Sequence, residues 1–364
     1  MKIAILNWRD LKHPEAGGAE VFVHEVGRRW AEQDHDVTLY SSRWKGCDDR
    51  DSDEGLTIRR VGTLRSGQHH LTAPHLLRNA RRPDALLESI NTFPYLLPLR
   101  RKPPPYVSLV HQMARDVWRS HLPALPARLA EWVEPHFFLP YRSRPLLAVS
   151  NSTKKDLESA GANDVSVVPQ GGIGPQQLRE KFAVPTVVWV GRLASNKRPD
   201  HAIEAFRGLR CVLPNARMEI VGEGPLEATL RETLPSGARL RGRLPRAELD
   251  DLLGRSHLIL MTSIREGWGL VVSEANALGT PAVGYDVPGL TDSILHKKTG
   301  LLSAPNPRAL AETALSLLER PAEYKGLSEA AAEHGATQTW DATADHLLNR
   351  LLLTMSEGQT IRAA

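Results

Sequence analysis

Cysteine is nearly absent. Cys47 and Cys211 are the only two in 364 residues and lie far apart, which leaves neither a disulfide framework nor a thiolate metal site. No window approaches the ~18 to 20 apolar residues of a membrane helix. The opening MKIAILNWRD is a short apolar run cut by Asn7, Arg9 and Asp10, with no small-residue cleavage site, so a first strand is expected there rather than a signal peptide. These absences point to a protein of the reducing cytoplasm. There is no repeat of solenoid period and no long low-complexity segment. Two glycine-bearing strand ends are present, but neither reads GxGxxG, which ranks a dinucleotide-dependent dehydrogenase low.

What is present is an ordinary globular balance, 41% hydrophobic and 24% charged, in a chain longer than one core usually grows, so two domains are expected. The net charge of +4 is uneven. Residues 1–54 carry 8 Lys/Arg against 12 Asp/Glu, whereas residues 55–145 carry 14 against 5 and hold six of the fourteen histidines. That basic segment would attract phosphates, an anionic acceptor, a membrane surface or nucleic acid, unless it is simply a solvated face. Arg outnumbers Lys 35 to 11, which a GC-rich genome would explain as well as a binding task.

KIAILNW reads as a strand and AEVFVHEVGRRWAEQD as a helix, with Phe22, Val23, Val26 and Trp30 on one 3.6-residue stripe. DVTLYSS, DALLES, YVSLVH and PLLAVS continue as strands, and NSTKKDLESAG as a helix begun by Asn151 or Ser152 and stopped at Gly161. Around 168–185 the period breaks into VPQGGIGPQQLREKFAVP, a domain boundary. The alternation then restarts with TVVWVGRL, DHAIEAFRGL, ARMEIVGEGP, LEATLRETL, ELDDLLGRS, HLILMTS and TPAVGY. Two βα series in one chain predict two facing Rossmann-like α/β domains with a cleft between them. Their expected bounds are 1–170 and 171–339, with a final helix over about 340–364 packing back on the first.

Within REGWGLVVSEANALGTPAVG, Glu266 and Glu274 stand eight positions apart. Gly267 and Gly269 make a helix through Trp268 unfavourable, so the helix is expected from near Leu270 to Gly279. One acid then sits just before a helix N-terminus and the other about one turn inside it. That terminus offers free amides and a positive dipole end to phosphate, and a carboxylate can accept two hydrogen bonds from a diol. On spacing alone, Glu266 reads equally as a loop acid and Glu274 as a local cap or pair. VWVGRLASNKRP adds Arg192 and Lys197 at a strand's C-terminal end, where a fork and a point charge can neutralise a diphosphate. Gly222-Glu223-Gly224 adds a second strand-end turn.

Taken together with VGRLASNKRPDHAIEAF, VGEGP, AVSNSTKKDL and HPEAGGAE, the stretch resembles glycosyltransferase family 4, whose E-x7-E signature REGWGLVVSEANALGTPAV matches. The matches run along most of the chain in the family's order. The resemblance implies a GT-B fold and retaining, metal-independent transfer of a hexosyl-type sugar from a nucleotide sugar, UDP- or GDP-type, to a hydroxyl of a small-molecule or lipid-linked acceptor. Natural-product, glycolipid and saccharide acceptors are all compatible. It implies that Arg192 and Lys197 hold the diphosphate, and that Glu266 holds sugar hydroxyls with help from the amides of Gly267, Trp268, Gly269 and Leu270. Glu274 would hold the ribose. Gly222, Glu223, Gly224 and Leu244 would line the nucleobase. From the first domain, Gly17 and Gly18 would approach the diphosphate and His111 the transferred sugar. Neither a cofactor nor a Ser-His-Asp or Cys-His nucleophile is needed, because the departing phosphate can take the acceptor's proton.

The chain departs from the family's pattern in two places: Trp268 stands where phenylalanine is commoner, and QGGIG replaces an Asn-Gly-Val-Asp type run. The acidic DDRDSDE at 48–54 contains Asp-x-Asp pairs of the kind that bind metal in other transferases, but a solvated loop is expected there. Trp118, in the basic segment, is a candidate for acceptor contact. Two rivals stand beside the transferase reading. One is another enzyme of the same fold, a sugar phosphorylase or epimerase. The other is a non-catalytic module docking a membrane or nucleic acid through the basic stretch HHLTAPHLLRNARR. On the enzyme reading, peripheral membrane contact through residues 55–145 stays open and no nucleic-acid partner is expected.

Overall fold

The computed structural model describes residues 1–64, 69–70 and 83–363. The chain divides into two compact units. The first comprises Met1–Arg115, Arg128–Gly171 and Trp340–Ala364, and the second Asp116–Ala127 and Gly172–Thr339. Residues 116–127 therefore cluster with the second unit, not within an unbroken 1–170 body. The basic stretch HHLTAPHLLRNARR falls, from Leu71 on, outside the described residues.

The first unit is built on an eight-stranded sheet of order β3-β4-β2-β1-β5-β6-β7-β8. Its strands are β1 Lys2–Leu6, β2 Asp36–Ser41, β3 Arg50–Asp53, β4 Leu56–Arg60, β5 Ala85–Asn91, β6 Tyr106–Gln112, β7 Leu146–Ala148 and β8 Val165–Val167. All neighbours pair in parallel except β3 with β4. Parallel strands covered on both faces need apolar runs, which Ile3–Leu6 of β1 and Ala85–Leu87 of β5 supply. Glu88 is the charged residue inside β5. It is fully buried and accepts from Tyr95 N, Ser108 Oγ and Tyr141 Oη at 2.9, 2.6 and 2.7 Å; burial pushes its carboxyl up to about 7.

The helix Gly18–Glu32 buries the expected stripe of Phe22, Val23, Val26 and Trp30. Part of that stripe packs on the helix Trp340–Ala363: Phe22 meets the Trp340 ring edge-on and Trp30 Nε1 donates to the Ala344 carbonyl at 3.0 Å. Glu20 closes the N-terminus by accepting from Gly17 N and Trp8 Nε1, both at 2.6 Å. The helix Asn151–Ser159 is capped one residue earlier than its sequence suggested: Ser150 Oγ accepts from Thr153 N at 3.1 Å. The acidic run is not a free loop either. Arg50–Asp53 forms the edge strand β3, and Asp51 pairs with Lys12 at 2.8 Å and Arg60 at 3.1 Å. Arg60 is in turn buried against Asp10, at 2.9 Å. Two cations, Lys12 and Arg60, and two acids, Asp10 and Asp51, thus satisfy one another at this edge.

The second unit has a six-stranded sheet of order β11-β10-β9-β12-β13-β14, parallel throughout. Its strands are β9 Thr186–Val190, β10 Arg217–Val221, β11 Ala238–Leu240, β12 Leu258–Met261, β13 Ala282–Tyr285 and β14 Gly300–Ser303. One continuous core, including Trp189, Phe206, Met218, Leu260, Val283 and Leu310, fills the space between sheet and helices. Lys181 ties loop ends beneath it, donating to the Gly254 and Gly279 carbonyls and Thr280 Oγ1 at 2.8 to 3.0 Å.

Candidate functional site

In the second sheet the chain leaves β9 toward β10 and β11 on one side, then restarts at β12 on the other. The crevice outside the C-terminal ends of β9 and β12 is therefore the switch point, where open α/β sheets seat ligands. The loop after β9 carries Arg192 and Lys197, and the loop after β12 carries Glu266. Lys197 ends a single 3-10 turn, Ser195–Lys197, and Arg198 takes a left-handed conformation (φ 49°) that turns the chain into the helix Pro199–Val212. Lys197 Nζ lies 2.5 Å from Glu266 Oε1, and Ser263 Oγ donates to the same oxygen at 2.6 Å. Glu266 is mostly covered, its side chain 11% exposed against 28% for Lys197.

Backbone bonds hold the two loops in that register. Ile264 N donates to the Asn196 carbonyl at 2.9 Å. Thr262 Oγ1 lies 2.8 Å from the Lys197 and Arg198 carbonyls and accepts from Trp189 Nε1 at 3.0 Å. Arg192 opens the same loop beside the glycine turn: Leu193 N donates to the Glu223 carbonyl at 2.9 Å. The turn fits there because Gly222 (φ +131°) has no side chain; a Cβ on it would sit 1.9 Å from the Gly191 carbonyl oxygen. Beneath Glu266, its amide donates to the Pro288 carbonyl at 3.0 Å. Gly289 (φ +85°) presses so closely that a Cβ would lie 2.1 Å from the Glu266 carbonyl.

The helix following Glu266 runs Leu270–Ala277, with Gly269 left-handed (φ 93°) at its cap. Gly267 and Gly269 flank Trp268, whose indole Nε1 donates to Ser273 Oγ at 2.8 Å. Glu274 points instead to the helix Arg246–Arg255, with Oε1 2.6 Å from Arg246 Nη1. Leu244, half-buried against the core, lies two residues ahead of Arg246. The second unit thus gathers Arg192, Lys197, Glu266, Gly267–Gly269, Gly222–Gly224 and Leu244 on the loops that follow its strands, with Leu270 and Glu274 on the helix Leu270–Ala277 that leaves one of them. An open pocket of about 430 Å³, lined by Gln176, Arg179, Glu180, Asp251 and Arg255 among others, lies at the opposite edge, where strands begin. No cluster of His, Cys, Asp or Glu that could hold a metal ion occurs among the described residues.

The remaining expected residues belong to the first unit. Gly17 and Gly18 are exposed at the start of the helix Gly18–Glu32, and Gly17 is extended rather than left-handed. His111 sits in β6, 7% exposed, with Nε2 2.9 Å from Ser89 Oγ. Ser89 Oγ donates onward to Asn7 Oδ1 at 2.8 Å, so the imidazole carries its proton on Nε2 in this row across β6, β5 and the end of β1. Burial lowers the His111 pKa to about 3, which keeps the ring neutral at physiological pH. Folding then disfavours the protonated form. The contribution is fully present above the unfolded value of about 6.5 and is lost at roughly 1.4 kcal/mol per pH unit as pH falls toward about 3. Urea unfolding at pH 6.5 and 5.5 should therefore show a smaller loss in His111→Gln than in the unsubstituted chain. Equal losses would mean that the ring titrates normally.

Sequence reasoning missed Ser263, Thr262, Gly289 and Arg246. Ser263 and Gly289 carry the only signals, a hydroxyl three residues before the acid and a glycine in VPGL after a strand. Arg246 looks like any surface cation.

The profile described as Glycosyl transferases group 1 matches residues 175–334, and that described as Glycosyltransferase Family 4 matches residues 16–171. The chain is 27% identical to a glycogen synthase of Mycobacterium tuberculosis over 292 residues, 77% of this chain and 67% of that one. It is 26% identical to a D-inositol 3-phosphate glycosyltransferase of Jonesia denitrificans over 383 residues, 92% and 90% of the two chains. Among solved structures, a sucrose-phosphate synthase from Thermosynechococcus elongatus superposes with a TM-score of 0.77 at 19% identity, covering all of both chains. HepE of Anabaena, solved with UDP and glucose, superposes with a TM-score of 0.72 at 18% identity, over 96% and 99%.

Proposed function

This chain belongs to the group 1, family 4 glycosyltransferases and has their GT-B fold, and on that premise we propose a retaining, metal-independent transferase using a nucleoside-diphosphate sugar. The observation that carries this reading is the Lys197–Glu266 pair at the switch point of the second sheet. A cation and a carboxylate that neutralise each other would both exchange that contact for new partners when a diphosphate sugar binds. Lys197 and the Arg192 fork take the phosphates. Glu266, still held by Ser263, turns its acceptor capacity to the sugar hydroxyls. The first amides of the helix Leu270–Ala277 and its positive end add to the field on the donor, and Glu274 takes the ribose diol.

In the reaction the bond from the anomeric carbon to the phosphate oxygen breaks, and its electron pair stays on the diphosphate. The acceptor oxygen bonds to the same face of that carbon, and its proton passes to the departing phosphate. Neutral His111 suits this scheme, since a ring with a pKa near 3 would be a poor base. The acceptor is assigned to the first unit, which holds residues 55–115 and 128–145 of the basic segment; their excess of cations favours an anionic molecule or a lipid headgroup. Among the described residues no helix is long and apolar enough to cross a membrane.

Because one structural neighbour was solved with UDP, uridine diphosphate is the first donor fragment to try, beside GDP, dTDP and ADP. In the presence of chelator, the matching nucleotide at ~100 times its Kd should raise unfolding stability by about 2.7 kcal/mol. No shift with any of the four, in folded protein, would remove the donor site; turnover abolished by chelator would remove metal independence.

A further inference from the structure

Arg246 is an odd choice for its position. It is the first residue of the helix Arg246–Arg255, after Pro245, where a cation opposes the helix dipole. Its guanidinium is nevertheless gripped from two sides. Nε and Nη2 meet Asp250 Oδ2 and Oδ1 at 3.1 and 2.8 Å, and Nη1 meets Glu274 Oε1 at 2.6 Å. The arginine side chain is 47% exposed and that of Glu274 15%. A half-exposed ion pair contributes little to stability, so the consequence of this contact is orientation. A planar fork anchored on Asp250 can present Nη1 in only a narrow range of directions.

We propose that Arg246 is the positioning residue for ribose recognition: it fixes the carboxylate of Glu274 so that a nucleotide's vicinal hydroxyls meet it in one geometry. The inference rests on the assignment of Glu274 to the ribose in the proposed function. A carboxylate has about four acceptor positions, and Arg246 occupies one on Oε1. The same arginine stands two residues after Leu244, which is expected to line the base. Base and ribose recognition are thereby joined through one side chain, and a shift of the chain there would move the carboxylate with it.

The test compares nucleotides that differ by one hydroxyl. Affinities of UDP and 2′-deoxy-UDP, and of GDP and 2′-deoxy-GDP, are measured by calorimetry in chelator for the unsubstituted chain, Arg246→Ala, Arg246→Lys and Glu274→Ala, with thermal unfolding of each. A hydrogen bond to a charged group implies a ribo-over-deoxy preference of about 10-fold or more in the unsubstituted chain. In Arg246→Ala the preference should fall to about 3-fold or less, with 2′-deoxy affinity nearly unchanged, because only the hydroxyl-reading geometry is lost. Arg246→Lys, which keeps the charge without the fork, should fall between. General loosening of the site would weaken both nucleotides alike and leave the preference intact, which overturns the proposal. Loss of the preference in Glu274→Ala but not in Arg246→Ala leaves Glu274 on the ribose and removes Arg246 from the role. A preference that survives Glu274→Ala, or is absent from the unsubstituted chain, removes the ribose assignment and the proposal with it.

Discussion

Lys197→Ala should lower turnover about 10²- to 10³-fold, the range for deleting one transition-state donor, and Glu266→Ala should cost as much. On the proposed function the ammonium would face the oxygen that gains charge as the bond to the sugar breaks, so its worth would be greatest in the transition state. The loss should then appear mainly in kcat, with a smaller rise in KM. Because the two groups touch at 2.5 Å, their effects should not add: the double variant should be about as slow as the worse single one. Stability should hardly change, since a partly exposed pair contributes about 1 kcal/mol or less. Initial rates with the donor identified by nucleotide binding, together with the melting temperatures of the three variants, decide the matter. Near-unsubstituted rates in both single variants would take Lys197 and Glu266 out of the chemistry.

Gly222→Ala should destabilise the second unit by about 4 kcal/mol, at the exceptional end for one substitution. Two independent causes act at the same atom. The backbone is at φ +131°, a conformation that side-chain-bearing residues rarely adopt, and the new methyl would lie 1.9 Å from the Gly191 carbonyl oxygen. The obstacle is backbone, so no rotamer change relieves it. Any relief must push the turn away from the Gly191–Leu193 loop, displacing Arg192, so activity should fall even where the variant folds. Gly326→Ala is the matched control: it lies in the helix Pro321–Ala336 with nothing within 4 Å of the new methyl. There the change should stabilise by roughly 0.5 to 1 kcal/mol. Urea midpoints measure both, and a Gly222→Ala midpoint equal to that of the control would refute the steric argument.

Strand and helix alternation, the Leu270 start of the signature helix and the apolar stripe of the first helix were all legible, because each is a periodic or glycine-marked signal. Three features were not. Ser150 rather than Asn151 caps its helix, a choice among adjacent polar residues that propensity cannot rank. DDRDSDE becomes partly an edge strand through pairing with β4 and with Lys12 and Arg60, partners distant in sequence. Within the candidate site, the residues proposed to touch a ligand carry a recognisable pattern, whereas their supports do not. Ser263 beneath Glu266 and Arg246 beside Glu274 are ordinary residues made specific only by the neighbours that folding brings to them.

The first unit is sewn shut by its last segment, and this has a consequence for synthesis. Trp30 finds its carbonyl partner 314 residues later, at Ala344. At a ribosomal rate of about 5–20 residues per second, that wait is roughly 15 to 60 seconds. Meanwhile residues 172–339 emerge and can close their own core. The apolar face around Trp30 stays uncovered until the helix Trp340–Ala363 arrives, so the first unit is completed only after the whole of 172–339 has been made. Nascent chains arrested before Trp340 should accordingly be held by chaperones through the face around Trp30, and released once that helix has left the exit tunnel.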